Sequence, residues 1–232
     1  MQTAWRHLGD VPTCADARSA VVCGDAIYVA GADGGVARLD PTSLTTVPIP
    51  TWGWQTRLLA AARGRLYAFD ESGPLYALDP AGGHERLDGD WSEVTVATGA
   101  GDQLYAAGRT LYSVEADGSW RQLGDTVWTP KLLVAGERDL FCLEENGGLY
   151  RVDLFDDSPE QLDGDWSDMT AGAIVGKVLC VTSESGWMYA VTGDECIPLE
   201  QGAPAGTRFL FVQGSSLYAL ETSGALHALA LS

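Results

Sequence analysis

The chain has 232 residues and 46% hydrophobic content, ample for a packed core and too apolar for a disordered chain. Its 32 acids against 14 bases give a formal charge of −18, so most of its surface repels phosphate. Nucleic acid is thereby excluded as an expected partner, and a cationic one fits. No run of about 18 apolar residues marks a membrane span, and the opening MQTAWRHLGD lacks the apolar segment of a signal peptide. The expectation is a cytoplasmic protein with no membrane partner. The same Asp-rich, Lys-poor usage also suits a salt-adapted or high-GC source. Five cysteines form an odd set without a CxxC pair, which points to reduced thiols and away from a zinc cage.

In chain order, the first element is a short strand with a turn. Trp5-Arg6-His7-Leu8-Gly9-Asp10 matches Trp120-Arg121-Gln122-Leu123-Gly124-Asp125 at five of six positions. There follow units marked by an apolar pair: Ile27-Tyr28, Leu66-Tyr67, Leu104-Tyr105, Leu140-Phe141, Val178-Leu179 and Leu217-Tyr218, at offsets of 39, 38, 36, 38 and 39. LDGDWS occurs at Leu87–Ser92 and again at Leu162–Ser167, an offset of 162 − 87 = 75, or two periods. A fixed period of this size is the mark of solenoids and propellers.

Within the second unit the order is RLLAAA, RG, RLYAFD, ESGP, LYALD, PAGG and HERL, four short strands separated by turn residues. Stretches such as Leu75–Leu78 and Lys131–Ala135 are apolar at consecutive positions, as in a sheet buried on both faces. Cys142 and Cys180 follow the pairs Leu140-Phe141 and Val178-Leu179, where sister units have Ala68, Ala106 and Ala219, and are read as small buried fillers. The last unit stops after its third strand, Ala225–Ser232, which would leave an open edge. The N-terminal strand is its missing fourth. The fold expected is all-β: a single six-bladed β-propeller over residues 1–232, with four antiparallel strands per blade and residues 1–10 closing the last blade.

The segment Asp117–Val152, DGSWRQLGDTVWTPKLLVAGERDLFCLEENGGLYRV, resembles a tectonin-type repeat. That resemblance implies a six-bladed propeller acting as a lectin or an interaction module. Gly73–Pro80 and the phrase SSLYALE are also similar to repeats of quinone-dependent dehydrogenases and of outer-membrane assembly scaffolds.

In a propeller, loops linking a fourth strand to the next blade share one face with the turns between second and third strands. The first kind carries Trp54, Trp91, Trp128 and Trp166, with Ala205 and Cys14 or Ala15 in the other two units. These indoles either line the channel mouth or wedge between blades with the ring N–H on a loop carbonyl. Asp90 and Asp165 are expected to bond their own turns; the alternative is partial calcium ligation with Asp88, Glu93, Asp163 and Asp168. Second-to-third turns add Asp70, Glu144 and Glu145. His7, His84 and His227 are assigned to separate units, and no nucleophile, base or metal set is recognisable. The reading is a non-catalytic module without cofactor or metal. It binds a protein or cationic peptide on its acidic, Trp-bearing face; the alternative is a tectonin-like lectin for small glycans.

Overall fold

The computed structural model describes residues 4–50, 53–79, 83–193 and 195–231. Those residues form 24 strands in six antiparallel four-stranded sheets. Blade I comprises β2 (Ser19–Cys23), β3 (Ala26–Ala30), β4 (Val36–Leu39) and β5 (Thr46–Ile49). Blade II comprises β6 (Thr56–Ala62), β7 (Arg65–Asp70), β8 (Leu75–Leu78) and β9 (His84–Leu87). Blade III comprises β10 (Val96–Ala100), β11 (Gln103–Ala107), β12 (Leu111–Val114) and β13 (Trp120–Gln122). Blade IV comprises β14 (Pro130–Ala135), β15 (Asp139–Glu144), β16 (Leu149–Asp153) and β17 (Pro159–Leu162). Blade V comprises β18 (Met169–Val175), β19 (Val178–Ser183), β20 (Met188–Thr192) and β21 (Glu195–Pro198). Blade VI comprises β22 (Thr207–Gln213), β23 (Ser216–Glu221), β24 (Ala225–Ala230) and β1 (Arg6–Asp10).

The ring closes as the sequence predicts. β1 pairs antiparallel with β24, placing Arg6 opposite Ala228 and Asp10 opposite Ala225. Residues 1–3 of the expected closing segment lie outside the described residues. The innermost strands touch their neighbours all the way round, including β2 against β22. The chain is a six-bladed β-propeller.

Burial peaks in the second strand of each blade, while the innermost strand β10, which lines the channel, is half-buried throughout. Second strands are almost wholly buried, as in β3, β7 and β15, whereas the outer strands β13 and β21 are exposed throughout. The apolar side chains form one cluster per blade interface, six in all, in place of a single central core. Each buried Leu or Phe in these layers stabilises by roughly 1.5–3 kcal/mol, so every interface contributes to holding the ring shut. Near the axis the inner strands are very close. A Cβ at Gly99 would lie 1.9 Å from the Ala61 carbonyl oxygen of the adjoining blade, which leaves no room for a side chain.

The strand pairing corrects one reading. Ser183 N–H bonds Trp187 O just as Asp70 N–H bonds Pro74 O and Glu144 N–H bonds Gly148 O. This aligns Leu179, not Val178, with Leu66 and Leu140. Cys142 does occupy the small-filler position, but Cys180 stands where Tyr67 and Phe141 stand. Both thiols are buried, and burial pushes Cys142 up to about 12 and Cys180 up to about 11. They are inert fillers under ordinary conditions.

Candidate functional site

The face singled out from the sequence is built by a repeated backbone bond. Each loop into a new blade lies on the second-to-third turn of the blade before it: Trp91 N–H bonds Gly73 O at 2.9 Å, Trp166 N–H bonds Gly147 O at 3.1 Å and Ala203 N–H bonds Gly186 O at 2.8 Å. The loop can settle this low because Gly73 has φ 106 and no Cβ; a Cβ there would meet Asp90 Oδ1 at 2.5 Å.

The indoles are packed, not presented. Trp91, Trp128 and Trp166 are 3%, 2% and 4% exposed. Trp91 Nε1 donates to Asp88 O at 3.1 Å and Trp166 Nε1 to Asp163 O at 3.2 Å, while the ring N–H of Trp128 has no partner among the described residues. Each ring meets the third-strand tyrosine of the blade it leads into: Trp91 with Tyr112, Trp128 with Tyr150 and Trp166 with Tyr189, all edge to face. Trp54 stacks on Tyr76 at 3.8 Å and is half-buried. The four rings are therefore wedges between blades, one of the two sequence readings, and Trp91, Trp128 and Trp166 do not form an exposed aromatic lining of the mouth.

The carboxylates divide into turn-formers and free groups. Asp90 and Asp165 accept from Ser92 N–H and Ser167 N–H, each at 3.0 Å, and bonds from those serines hold both carboxyls below the usual carboxylate range. Asp70 is buried and accepts from Gln55 N–H at 2.6 Å and Ser72 N–H at 2.9 Å. Burial pushes its carboxyl up, but the bonds from Ser72 and Gln55, with Arg57 nearby, outweigh this and hold it low. Glu144 is likewise buried, accepting from Thr129 N–H at 3.0 Å. Glu145 is exposed, as are Asp88, Glu93, Asp163, Asp168 and Glu184. Among the described residues none of these six is in an ion pair. Most arginine–carboxylate pairs belong to the outer wall and the opposite face, such as Arg38–Asp25, Arg63–Glu115 and Arg65–Glu85. Arg18–Glu71 lies on the channel face.

Inside this acidic rim lies a set of residues that the sequence reading missed. Arg18, Arg57, Thr95, Lys131, Thr170 and Arg208 each stand nine residues before an aligned second-strand aliphatic, Ile27, Leu66, Leu104, Leu140, Leu179 and Leu217 in turn, as in 66 − 57 = 9. Four of them sit where the inner strand slips register against its partner, between Thr56 and Leu58, Pro130 and Leu132, Met169 and Ala171, and Thr207 and Phe209. A bulge frees one residue from the ladder and re-aims its side chain. Five of the six reach the next blade. Arg57 bonds Trp91 O at 2.6 Å, Lys131 bonds Ser167 O at 2.7 Å, Thr95 bonds Pro130 O at 3.2 Å, Thr170 bonds Thr207 O at 3.0 Å and Arg18 pairs with Glu71. Burial lowers the Arg57 and Lys131 values, opposed by nearby carboxylates.

All of these residues but Arg57 line the axial cavity, of about 480 Å³, to which all six inner strands contribute. Its lining mixes apolar side chains, Leu58, Leu132, Ile174 and Phe209 among them, with the polar residues Ser19, Thr95, Thr98 and Thr170, and among the described residues its charged members are Arg18, Lys131 and Arg208. Among the described residues no group of three or more His, Cys, Asp or Glu could hold a metal ion. The histidines are not all apart as read from the sequence. Closure by β1 sets His7 opposite His227, ring centroids 4.9 Å apart.

Neither a protein-family model nor a curated protein matches the chain. Solved structures do. Virginiamycin B lyase from Staphylococcus aureus is similar over 100% of both chains at TM-score 0.71 and 9% identity. The WD40 repeats of RRP9 are similar over 100% of this chain and 99% of theirs, at TM-score 0.69 and 12% identity. BBS1N, solved in complex with ARL6DN, is similar over 89% of this chain and 75% of its own, at TM-score 0.56 and 16% identity. At such identities the shared property is the propeller. One fold here spans a lyase and a protein complex, so function must be argued from the site.

Proposed function

We propose that the chain is a non-catalytic, cytoplasmic binding platform, related to tectonin-type propellers, whose channel face engages a protein or peptide partner. The observation that carries this reading is the rim of exposed carboxylates, Asp88, Glu93, Glu145, Asp163, Asp168 and Glu184, which have no ion pairs among the described residues and are set on loops fixed by backbone bonds. Unpaired acids held on rigid loops suit the Arg and Lys side chains of a partner, and opposite charge speeds the encounter. The similar propeller of BBS1N is itself seen bound to another protein, which supports a protein partner here.

A second reading has its own observation. The two LDGDWS copies border similar grooves, one of about 310 Å³ with Tyr112 and exposed Trp120, the other of about 390 Å³ with Tyr189 and Cys196. Paired grooves of this kind are what a small-glycan lectin needs.

Calorimetry with an Arg- and Lys-rich peptide, its Glu-rich counterpart and a glycan panel separates the readings. The first expects salt-sensitive binding of the basic peptide, weakened about tenfold by joint Glu145→Gln and Glu184→Gln and unchanged by Asp156→Ala on the opposite face. Binding of glycans alone, with equal sites, would replace it by the second.

A further inference from the structure

Of the residues ringing the mouth, Arg208 differs from the rest. Among the described residues its guanidinium has no hydrogen bond or ion pair; it lies 5.6 Å over the Phe209 ring and is exposed. Its bulge aims it to the place where the axial cavity meets a second, larger one. That antechamber, of about 750 Å³, shares Lys131, Thr170 and Arg208 with the channel and adds Ser183, Ser185, Asp168 and Glu184. Two cations thus stand where the antechamber, with its serine and threonine residues, meets a channel whose lining includes many apolar side chains and, among the described residues, no carboxylate, in a chain whose net charge is −18.

We propose that this junction takes the free C-terminal carboxylate of an extended polypeptide whose last side chain is apolar. The carboxylate meets Arg208 and Lys131, the side chain enters the channel among Leu132, Ile174 and Phe209, and the preceding backbone crosses the antechamber. Arg offers a planar fork matched to a carboxylate, and Lys a second point charge. A terminal residue joins a carboxylate and an apolar side chain on one carbon, as the adjacency of charge and apolar wall requires. A phosphate dianion fits less well, since Asp168 and Glu184 share the chamber. The inference rests on the protein-partner reading and adds which end of the partner is held: basic residues on the rim, the terminus at the centre.

The test uses the full chain and three probes, followed by amide chemical-shift titration: the N-acetylated peptide Arg-Ser-Gly-Ser-Leu with a free carboxylate, the same peptide as its C-terminal amide, and octanoate. Binding in the millimolar range suits ligands of this size. The expected result is saturable shifts around Lys131, Thr170 and Arg208, at least about tenfold tighter for the acid than for the amide. That advantage disappears in Arg208→Gln while the melting temperature stays unchanged, because Arg208 is exposed. Acid and amide binding alike would overturn this inference and leave the acidic rim standing. Binding of neither peptide would overturn both readings. Octanoate binding as tightly as the acid peptide would assign the site to a free amphiphile and overturn the terminus.

Discussion

Blades II to V differ from the two blades at the seam. In the four central blades a loop indole, Trp54, Trp91, Trp128 or Trp166, packs on a third-strand tyrosine, Tyr76, Tyr112, Tyr150 or Tyr189. In blade VI the loop residue making the matching backbone bond is Ala203 and the third strand has His227 opposite Ala219; in blade I that loop residue is Val11 and the third strand has Ala37 opposite Val29. Both halves of the wedge are missing together. What fills the seam is chain closure: Val11, Cys14 and Ala17 pack with Phe211, Leu220 and Leu226, and Trp5 packs against the cluster between blades V and VI. The repeat therefore fixes the volume to be filled at each interface, and the way it is filled can vary.

The largest effect should come from breaking the seam. Deleting residues 1–10 removes the pairing of β1 with β24 and exposes that edge; a loss of at least about 3 kcal/mol and concentration-dependent aggregation are expected. Urea melts and light scattering check both. Breaking a wedge ranks next. Trp91→Ala or Trp166→Ala should destabilise by about 3–5 kcal/mol through the cavity left behind, whereas Trp120→Ala, 54% exposed on the outer wall, should stay within about 0.5 kcal/mol.

A smaller effect is expected at the turns beneath the wedges. Asp70→Ala removes the buried carboxylate that accepts from Gln55 N–H and Ser72 N–H and should cost about 1–3 kcal/mol, while Ser183→Ala at the matching position of blade V should cost less, since no charge is removed. The folded value of Asp70 lies below its unfolded one. Its contribution is therefore complete above the unfolded carboxylate range and is lost as pH falls through the folded value. Melts from neutral to acid pH should accordingly show a shallower acid limb in Asp70→Asn than in the native chain. Least of all, alkylation of exposed Cys196 should leave the melting temperature unchanged while Cys142 resists the reagent, which mass spectrometry reads directly.

Much of this was legible in the sequence because a propeller repeats its turns as well as its strands. The period, the strand count and the match of Trp5–Asp10 to Trp120–Asp125 together specify the closed ring. The bonding of Asp90 and Asp165 to their own turns follows from the habits of aspartate. The blade V register was misread because Val178, Leu179, Cys180 and Val181 are all apolar, so a slip of one leaves the hydrophobic pattern unchanged; only the turn bond from Ser183 to Trp187 fixes it. The cationic mouth was missed for a different reason. A bulge is invisible to periodicity, and Arg, Lys and Thr at one repeat position do not look alike until the structure aims them at one opening. Their constant nine-residue distance from the second strand was the signal available.

The central claim is that architecture and recognition are carried by different residues of one face: buried indoles hold the blades, and exposed rim charges meet the partner. Measuring melting temperature and basic-peptide affinity side by side for Trp166→Phe and for joint Glu145→Gln and Glu184→Gln tests it most directly. The account predicts that the tryptophan variant melts lower and binds as the native protein does, and that the glutamate variant melts as the native protein does and binds about tenfold more weakly. A tryptophan variant that keeps its melting temperature but loses the peptide would contradict it.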